Sequence, residues 1–306
     1  MSRRERGVAA ITAILIVAIA ASAATLMLAQ QSAMIDQAML ITSRAQADLY
    51  ARAGIDWARG VLQEDSRTSR AIDSLGEAWA QPIAALPVER ALVSGAIVDE
   101  QGKFNLNSLV VNGQRNNEAF AALQRLLVAR GLPAELADAI VDWIDADADL
   151  AGPGGAEDAY YLSLRKPYRA PNAEMAQVEE LYRVRGFDAD TVAKLRPYVS
   201  ALPGPTPINV NTASDVVIKA VLNAPDAAIA KFVSERRARP IANLNDVGQR
   251  LQLAANPPAT LANIRSDFFS VRVQVVQDDV ELASEALVQR APTTGAPAIV
   301  WLRPRY

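Results

Sequence analysis

Residues 8–28 carry no charged side chain and are mostly apolar, and the next charge along the chain is Asp36. A helix rises about 1.5 Å per residue, so this run reaches about 30 Å, the thickness of the hydrocarbon core of a bilayer. The head before it holds Arg3, Arg4 and Arg6 against the single acid Glu5. A basic head of this kind stays on the cytoplasmic side and sends the rest of the chain across. The pattern then continues through residues 30–62, where Leu40, Leu49, Ile55, Val61 and Leu62 punctuate polar positions and no proline appears before Pro82. This predicts one long helix, half in the membrane and half outside. Ala21-Ser22-Ala23 offers the small-x-small cleavage site of a secretory signal. The apolar run is longer than the core of such a signal, and no turn follows it.

Beyond the helix the period changes. Residues 88–98 are rich in β-branched side chains and lead into Asp99-Glu100-Gln101-Gly102 and then residues 103–107, which reads as strand, turn and strand. Near the other end residues 268–276 alternate, with Phe269, Val271, Val273 and Val275 on one face. Asp278-Asp279 makes a turn, residues 280–290 form the next strand and residues 298–302 the last. The β regions flank about 150 residues that read helical. The expected class is therefore α+β: a long N-terminal helix on an antiparallel sheet, interrupted by a large all-α insertion. The expected segments are a leader at 1–7, the first helix at 8–65 with its membrane part at 8–28, an α/β unit at 66–110 and 262–306, and the insertion at 111–261.

The insertion contains a weak repeat. Arg130-Gly131-Leu132-Pro133-Ala134 followed by Ala137 and Ile140 matches Arg185-Gly186-Phe187-Asp188-Ala189 followed by Val192 and Leu195, with a partial third copy around Ile229 and Phe232. Each copy reads as a turn and then an amphipathic helix. The stretch Ile208-Asn209-Val210-Asn211-Thr212-Ala213-Ser214 with Leu222 resembles a helix-hairpin-helix (SAM-like) unit of DNA-uptake proteins. The glycine hairpin that would cradle a phosphate is replaced by Asn223-Ala224-Pro225-Asp226. Proline removes a backbone donor there and aspartate repels the anion. A membrane-anchored DNA receptor is thus the alternative reading, and no nucleic acid is expected as partner.

Composition narrows the chemistry. With 51% hydrophobic and 21% charged residues, the 306-residue chain is globular rather than disordered. It has no cysteine and no histidine, so disulfides and imidazole catalysis are both excluded and any metal must be held by oxygen. A net charge of −3 gives no electrostatic reason to expect nucleic acid. Paired carboxylates such as Asp145 and Glu157 would suit a tethered hydrolase, yet no nucleophile or base of familiar spacing accompanies them, so no catalytic residue is assigned and an enzyme is not expected.

The strongest chemical signal outside the first helix is the acidic loop at 142–158. Asp145, Asp147, Asp149, Glu157 and Asp158 fall within it, with no lysine or arginine between them. Carboxylates crowded together repel, and a divalent cation relieves the repulsion. The start resembles an EF-hand, but Leu150 occupies the place of the turn glycine and Ala156 that of the bidentate glutamate. A calcium loop of another design is expected, closed by Gly152-Pro153-Gly154-Gly155, which folds Glu157 and Asp158 back onto the aspartates. A solvated acidic linker is the alternative. Trp143 and Ile144 before the loop, and Tyr160, Tyr161 and Leu162 after it, look like anchors in a core.

Arg6-Gly7 followed by Val8 and the apolar helix resembles the processing site of type IV pilins and pseudopilins. Most of that family have a glutamate at the fifth mature position, where this chain has Thr12. Lack of that glutamate, together with Asp142-Trp143-Ile144-Asp145 and the segment 154–161, resembles the K-type minor pseudopilin of type II secretion systems. The resemblance implies a pilin-like fold, prepilin peptidase cleavage after Gly7, N-methylation of Val8 and structural calcium. It also implies a single-pass place in the bacterial inner membrane with the C-terminal domain in the periplasm. The implied partners are I-type and J-type minor pseudopilins, the H-type and the major pseudopilin, the inner-membrane secretion platform and the lipid bilayer.

Overall fold

The computed structural model describes residues 3–68, 71–291 and 295–305, with side chains in the first helix described from Ile11 onward. Helix α1 (Arg3–Thr68) is continuous over 66 residues, as its lack of proline allows. Every residue from Ile11 to Thr42 is exposed. Up to Leu28 that exposed stretch is apolar on nearly every side and belongs in lipid or against protein. Helix α1 is the one helix among the described residues long and apolar enough to cross a membrane. Beyond Thr42 one face is covered: Ala47, Ala51, Ile55, Ala58 and Leu62 recur every three or four residues and are buried.

They meet a five-stranded antiparallel sheet whose strands are neighbours in chain order: β1 (Ile83–Val88), β2 (Ala91–Asp99), β3 (Phe268–Gln277), β4 (Val280–Gln289) and β5 (Ala298–Arg305). Phe269, Val271, Val273 and Val275 form the buried face, as their alternation predicts. Three expectations are corrected. The strand foreseen at 88–98 is two strands, because the chain reverses at Glu89, whose φ is 50°, and Val88 closes β1. Pro82 and Pro87 disguised β1; it lies at the sheet's edge, where proline is tolerated. The strand foreseen at 103–107 shrinks to Phe104-Asn105, paired in parallel with Val199-Ser200 outside the main sheet. Asn105 Oδ1 accepts from Asn107 N at 3.1 Å and turns the backbone into the short helix Leu106–Leu109. The last strand also runs on past Leu302 to Arg305.

β2 and β3 pair from Ala91↔Gln277 to Asp99↔Phe269, so the whole stretch 100–267 is inserted between two adjacent strands. The insertion has a core of its own, around Leu106, Leu123, Leu126, Ile140, Tyr161 and Phe232. Helix α2 (Asn117–Ala129) packs there on α6 (Asp215–Leu222) and on α3 (Leu136–Ile144). Two copies of the repeat are turns on a left-handed glycine, Gly131 at φ 70° and Gly186 at φ 83°, followed by α3 and by α5 (Ala189–Leu195). The third falls in α7 (Asp226–Glu235).

The insertion leaves the sheet at the end of α1 farthest from the apolar run. Ser43 bonds Asp278, in the β3–β4 turn, whereas Asp65 pairs with Arg290, just after β4. A buried polar junction fastens the insertion at that far end. Asp99, at the end of β2, accepts from Thr212 Oγ1 at 2.5 Å, Ser266 Oγ at 2.6 Å, Gln101 N at 2.8 Å and Asn209 Nδ2 at 3.1 Å. Asn209 also donates to Asp73 O, and Asn211 pairs with both backbone groups of Ile241. The asparagines that suggested a nucleic-acid unit are thus turned inward, satisfying buried backbone.

Burial pushes the Asp99 carboxyl up to about 6, against the pull of Ser266 and Thr212, and the Asp73 charge adds to the rise. A group whose pKa is raised on folding adds stability that is complete below its unfolded value and fades as pH rises through the folded one. The parent is therefore expected to gain on the order of 2 kcal/mol from this site between pH 7.5 and pH 4.5. Urea midpoints at the two pH values test this: the difference must shrink in Asp99→Asn, and an unchanged difference removes Asp99 as its source.

Candidate metal centre

Asp138 and Asp142 lie one turn apart on α3, so both face the acidic loop. Asp142 Oδ1 accepts from Ala151 N at 2.7 Å and Asp138 Oδ2 from Gly154 N at 3.1 Å. These bonds fold the loop back onto the helix. Glycine is needed where it lands: a Cβ on Gly154 would overlap Glu135 O, and one on Gly155 would overlap the Asp142 carboxylate. Arg185 Nη1 donates to Gly155 O at 2.6 Å from outside.

The two ends are anchored by Trp143, Ile144 and Tyr161, all buried, with Trp143 and Tyr161 edge to face at 5.4 Å. Tyr160 and Leu162, expected in the core, are exposed. Only every third or fourth residue of so short a helix as α4 (Asp158–Leu162) can face inward, and Tyr161 takes that place.

Within this frame Asp145, Asp147 and Glu157 converge, each offering a carboxylate oxygen within 4.8 Å of the other two. Two calcium–oxygen bonds end to end span about 4.6–5.2 Å, so one ion reaches all three. Asp145 and Glu157 are buried and Asp147 is exposed. Asp145 Oδ1, Glu157 Oε1 and Asp142 Oδ2 are buried without a hydrogen-bond partner, an arrangement that costs free energy unless a cation meets them. Burial, and then the charges of Asp147 and Asp142, push the Asp145 carboxyl up to about 6. Burial, and then Asp142, Asp145, Asp147 and Asp158, push Glu157 up to about 7. Oxygen donors of this charge and spacing fit calcium.

Asp149 and Asp158 are not brought into this group. The Asp149 side chain is exposed while its N–H donates to Asp147 Oδ1. Asp158 turns away from the loop, accepting from Ala170 N at 3.1 Å and pairing with Arg169 at 3.4 Å. Two residues not foreseen as site residues come near: Asp142, and Asn172, whose Nδ2 donates to Asp147 O at 2.9 Å while its Oδ1 is buried without a partner. Asp142 was visible three residues before Asp145, but nothing local marks Asn172. Gly7 and Val8 lie on the backbone of α1, and Thr12 is exposed on it.

A bilayer-length helix that continues as the spine of an antiparallel meander, with a helical insertion holding a carboxylate centre, defines a pilin-like subunit of elaborated form. Its type II secretion system protein K relative from Pseudomonas aeruginosa is 33% identical over 302 residues, covering 95% of this chain and 90% of the relative. That from Pectobacterium carotovorum subsp. carotovorum is 30% identical over 309 residues, covering 94% and 93%. The chain belongs to the type II secretion system protein K family, which is one of structural pseudopilins. The family model for type II secretion system (T2SS), protein K matches residues 102–204, inside the insertion. In fold the chain matches the crystal structure of the GspK-GspI-GspJ complex from the enterotoxigenic Escherichia coli type 2 secretion system. The match has a TM-score of 0.72 at 24% identity and covers 87% of this chain and 98% of the other.

Proposed function

We propose that this chain is the minor pseudopilin at the tip of the periplasmic type II secretion pseudopilus. It nucleates pseudopilus assembly in the inner membrane with I-type and J-type minor pseudopilins and supports export of folded proteins across the outer membrane. The H-type and major pseudopilins follow below it, and the inner-membrane platform feeds the assembly. The observation that carries this reading is the place of the insertion, at the end of α1 farthest from the apolar run, and a domain so placed would stand in the way of a further subunit above. Thr12 fits the same end position. It carries no charge to neutralise the amino terminus of a subunit above, and a terminal subunit has none to neutralise. The complex named for the solved relative supports the I-type and J-type partners.

Residues 8–28 anchor the chain by a single pass, with the head cytoplasmic and the remainder periplasmic. Prepilin peptidase cuts between Gly7 and Val8, and Val8 is then N-methylated. Calcium held by Asp145, Asp147 and Glu157 fixes the loop of the insertion as a structural ion. The α6–α7 pair keeps the outline of a helix-hairpin-helix unit without its ligand, for Asp226 is tied to Lys219 at 2.6 Å and Asn209 and Asn211 are buried.

Gold-labelled antibody against the insertion tests the tip position on sheared pseudopili. Label is expected at filament ends, and label along the shaft would overturn the proposal. Intact mass of the same preparation is expected to begin at a methylated Val8, and a chain retaining Met1 argues against pilin-type processing.

A further inference from the structure

Five cationic side chains meet where the segment after α4 passes the segment before α5. Arg165, Lys166 and Arg169 lie on the first, Arg183 and Arg185 on the second, and all five are exposed. The Tyr168 hydroxyl donates to Arg183 O at 2.7 Å, and its ring stacks on Tyr161 at 5.3 Å, so the two segments are held side by side against the core of the insertion. Among the described residues, no acid pairs with Arg165, Lys166 or Arg183. The acids of the stretch between are committed: Glu174 accepts from Gly204 N, Glu179 pairs with Arg196 and Arg303, and Glu180 accepts from Ala176 N and Trp143 Nε1. Leu162, 45% exposed, and Tyr182, 52% exposed, belong to the same two segments. A cationic face of this kind is a local reversal in a chain of net charge −3.

We propose that this face docks an acidic segment of a partner protein, one that also carries aromatic or aliphatic side chains, and that calcium in the neighbouring carboxylate centre strengthens the docking. Unpaired arginine and lysine draw carboxylates, and arginine and tyrosine are side chains that protein interfaces favour. The bilayer that holds the chain is not the anion at hand, because the insertion leaves the sheet about 55 Å along α1 from Leu28. The calcium dependence follows from place. Arg169 pairs with Asp158 and Arg185 Nη1 donates to Gly155 O, so the face is tied to the chain on both sides of Glu157. Asp145, Asp147 and Glu157 therefore stand close behind it and oppose its field, and a divalent ion cancels two of their three charges. Only this dependence rests on calcium filling the centre; the docking itself rests on the free cations.

Full-length protein in neutral phosphatidylcholine nanodiscs, titrated at low salt and with calcium against a fluorescent copolymer of glutamate and tyrosine, tests the proposal. Arg165→Gln with Lys166→Gln is expected to weaken binding by about fivefold or more. Lys231→Gln with Arg239→Gln removes two exposed cations on and after α7, and is expected to leave the affinity within about twofold of the parent. Equal losses in the two double variants mean diffuse attraction and overturn the face, as does a copolymer that the parent does not bind. Phosphatidylglycerol vesicles that bind the parent but not Arg165→Gln with Lys166→Gln, while copolymer binding is unmoved, overturn the protein occupant. With chelator the parent is expected to bind the copolymer about threefold more weakly. An affinity indifferent to chelator overturns the coupling where calcium raises the melting temperature. Where calcium leaves that temperature unchanged, the calcium-filled centre is what fails and the docking stands.

Discussion

Stripping calcium from the full-length protein in detergent is expected to lower its melting temperature by about 5–10 °C. An ion present at a hundred times its dissociation constant adds about 2.7 kcal/mol, and each kcal/mol is worth roughly 2–4 °C in a chain of this size. Asp145→Asn and Glu157→Gln are expected to act with opposite signs in the two conditions. With calcium each removes a charged ligand, so each melts below the parent. With chelator each removes a buried charge that its own neighbours repel, so each melts at or above the parent. Asp158→Asn should leave the response to calcium almost untouched, since Arg169 and Ala170 already occupy that carboxylate. Identical melting curves with and without chelator would mean that the loop is only a solvated linker.

How far the site was legible follows from chain distance. Asp145, Asp147 and Glu157 are close in sequence, and the glycines between them permit the close return that brings Glu157 back to the aspartates. Asp158 misled because its neighbour Glu157 faces the loop from the start of α4, and the next residue on a helix points about 100° away. Asn172 arrives from a separate segment, so only the folded chain brings it to Asp147.

The fold divides in the same way. Helix α1 and strands β3 and β4 were readable because each keeps one period without interruption and the Asp278-Asp279 turn marks the hairpin. β1 was hidden by two prolines, and its turn by Glu89, a residue that seldom adopts positive φ. The pairing of β2 with β3 has no local signature, since register across so long an insertion is set by which faces are buried. The same limit explains the INVNT stretch. Its asparagines are polar in sequence and buried in the structure because Asp99, Asp73 and Ile241 offer matching groups from distant segments.

Arg290→Met is expected to destabilise the protein by about 3–5 kcal/mol, the loss that follows when one partner of a buried ion pair is removed. Arg290 lies between Asp73, at 2.6 Å, and Asp65, at 2.7 Å, with its guanidinium over the Phe269 ring at 4.8 Å. It therefore ties the end of α1, the start of the sheet domain and the close of the insertion to one cation. Burial already holds the Asp73 carboxyl above its usual range, with Arg290 opposing the rise. Without the arginine that carboxyl rises further, so the damage depends on pH in a fixed direction. Below the unfolded carboxylate range the proton replaces the arginine and most of the loss is recovered; as pH rises through the new folded value the loss returns in full. Arg290→Met with Asp73→Asn should accordingly melt above Arg290→Met alone at pH 7.5 and close to it at pH 4.5. Because the carboxylate centre belongs to the separate core of the insertion, the calcium response of Arg290→Met should match that of the parent. A variant that melts within about 2 °C of the parent at pH 7.5 would show that the junction does not depend on this arginine.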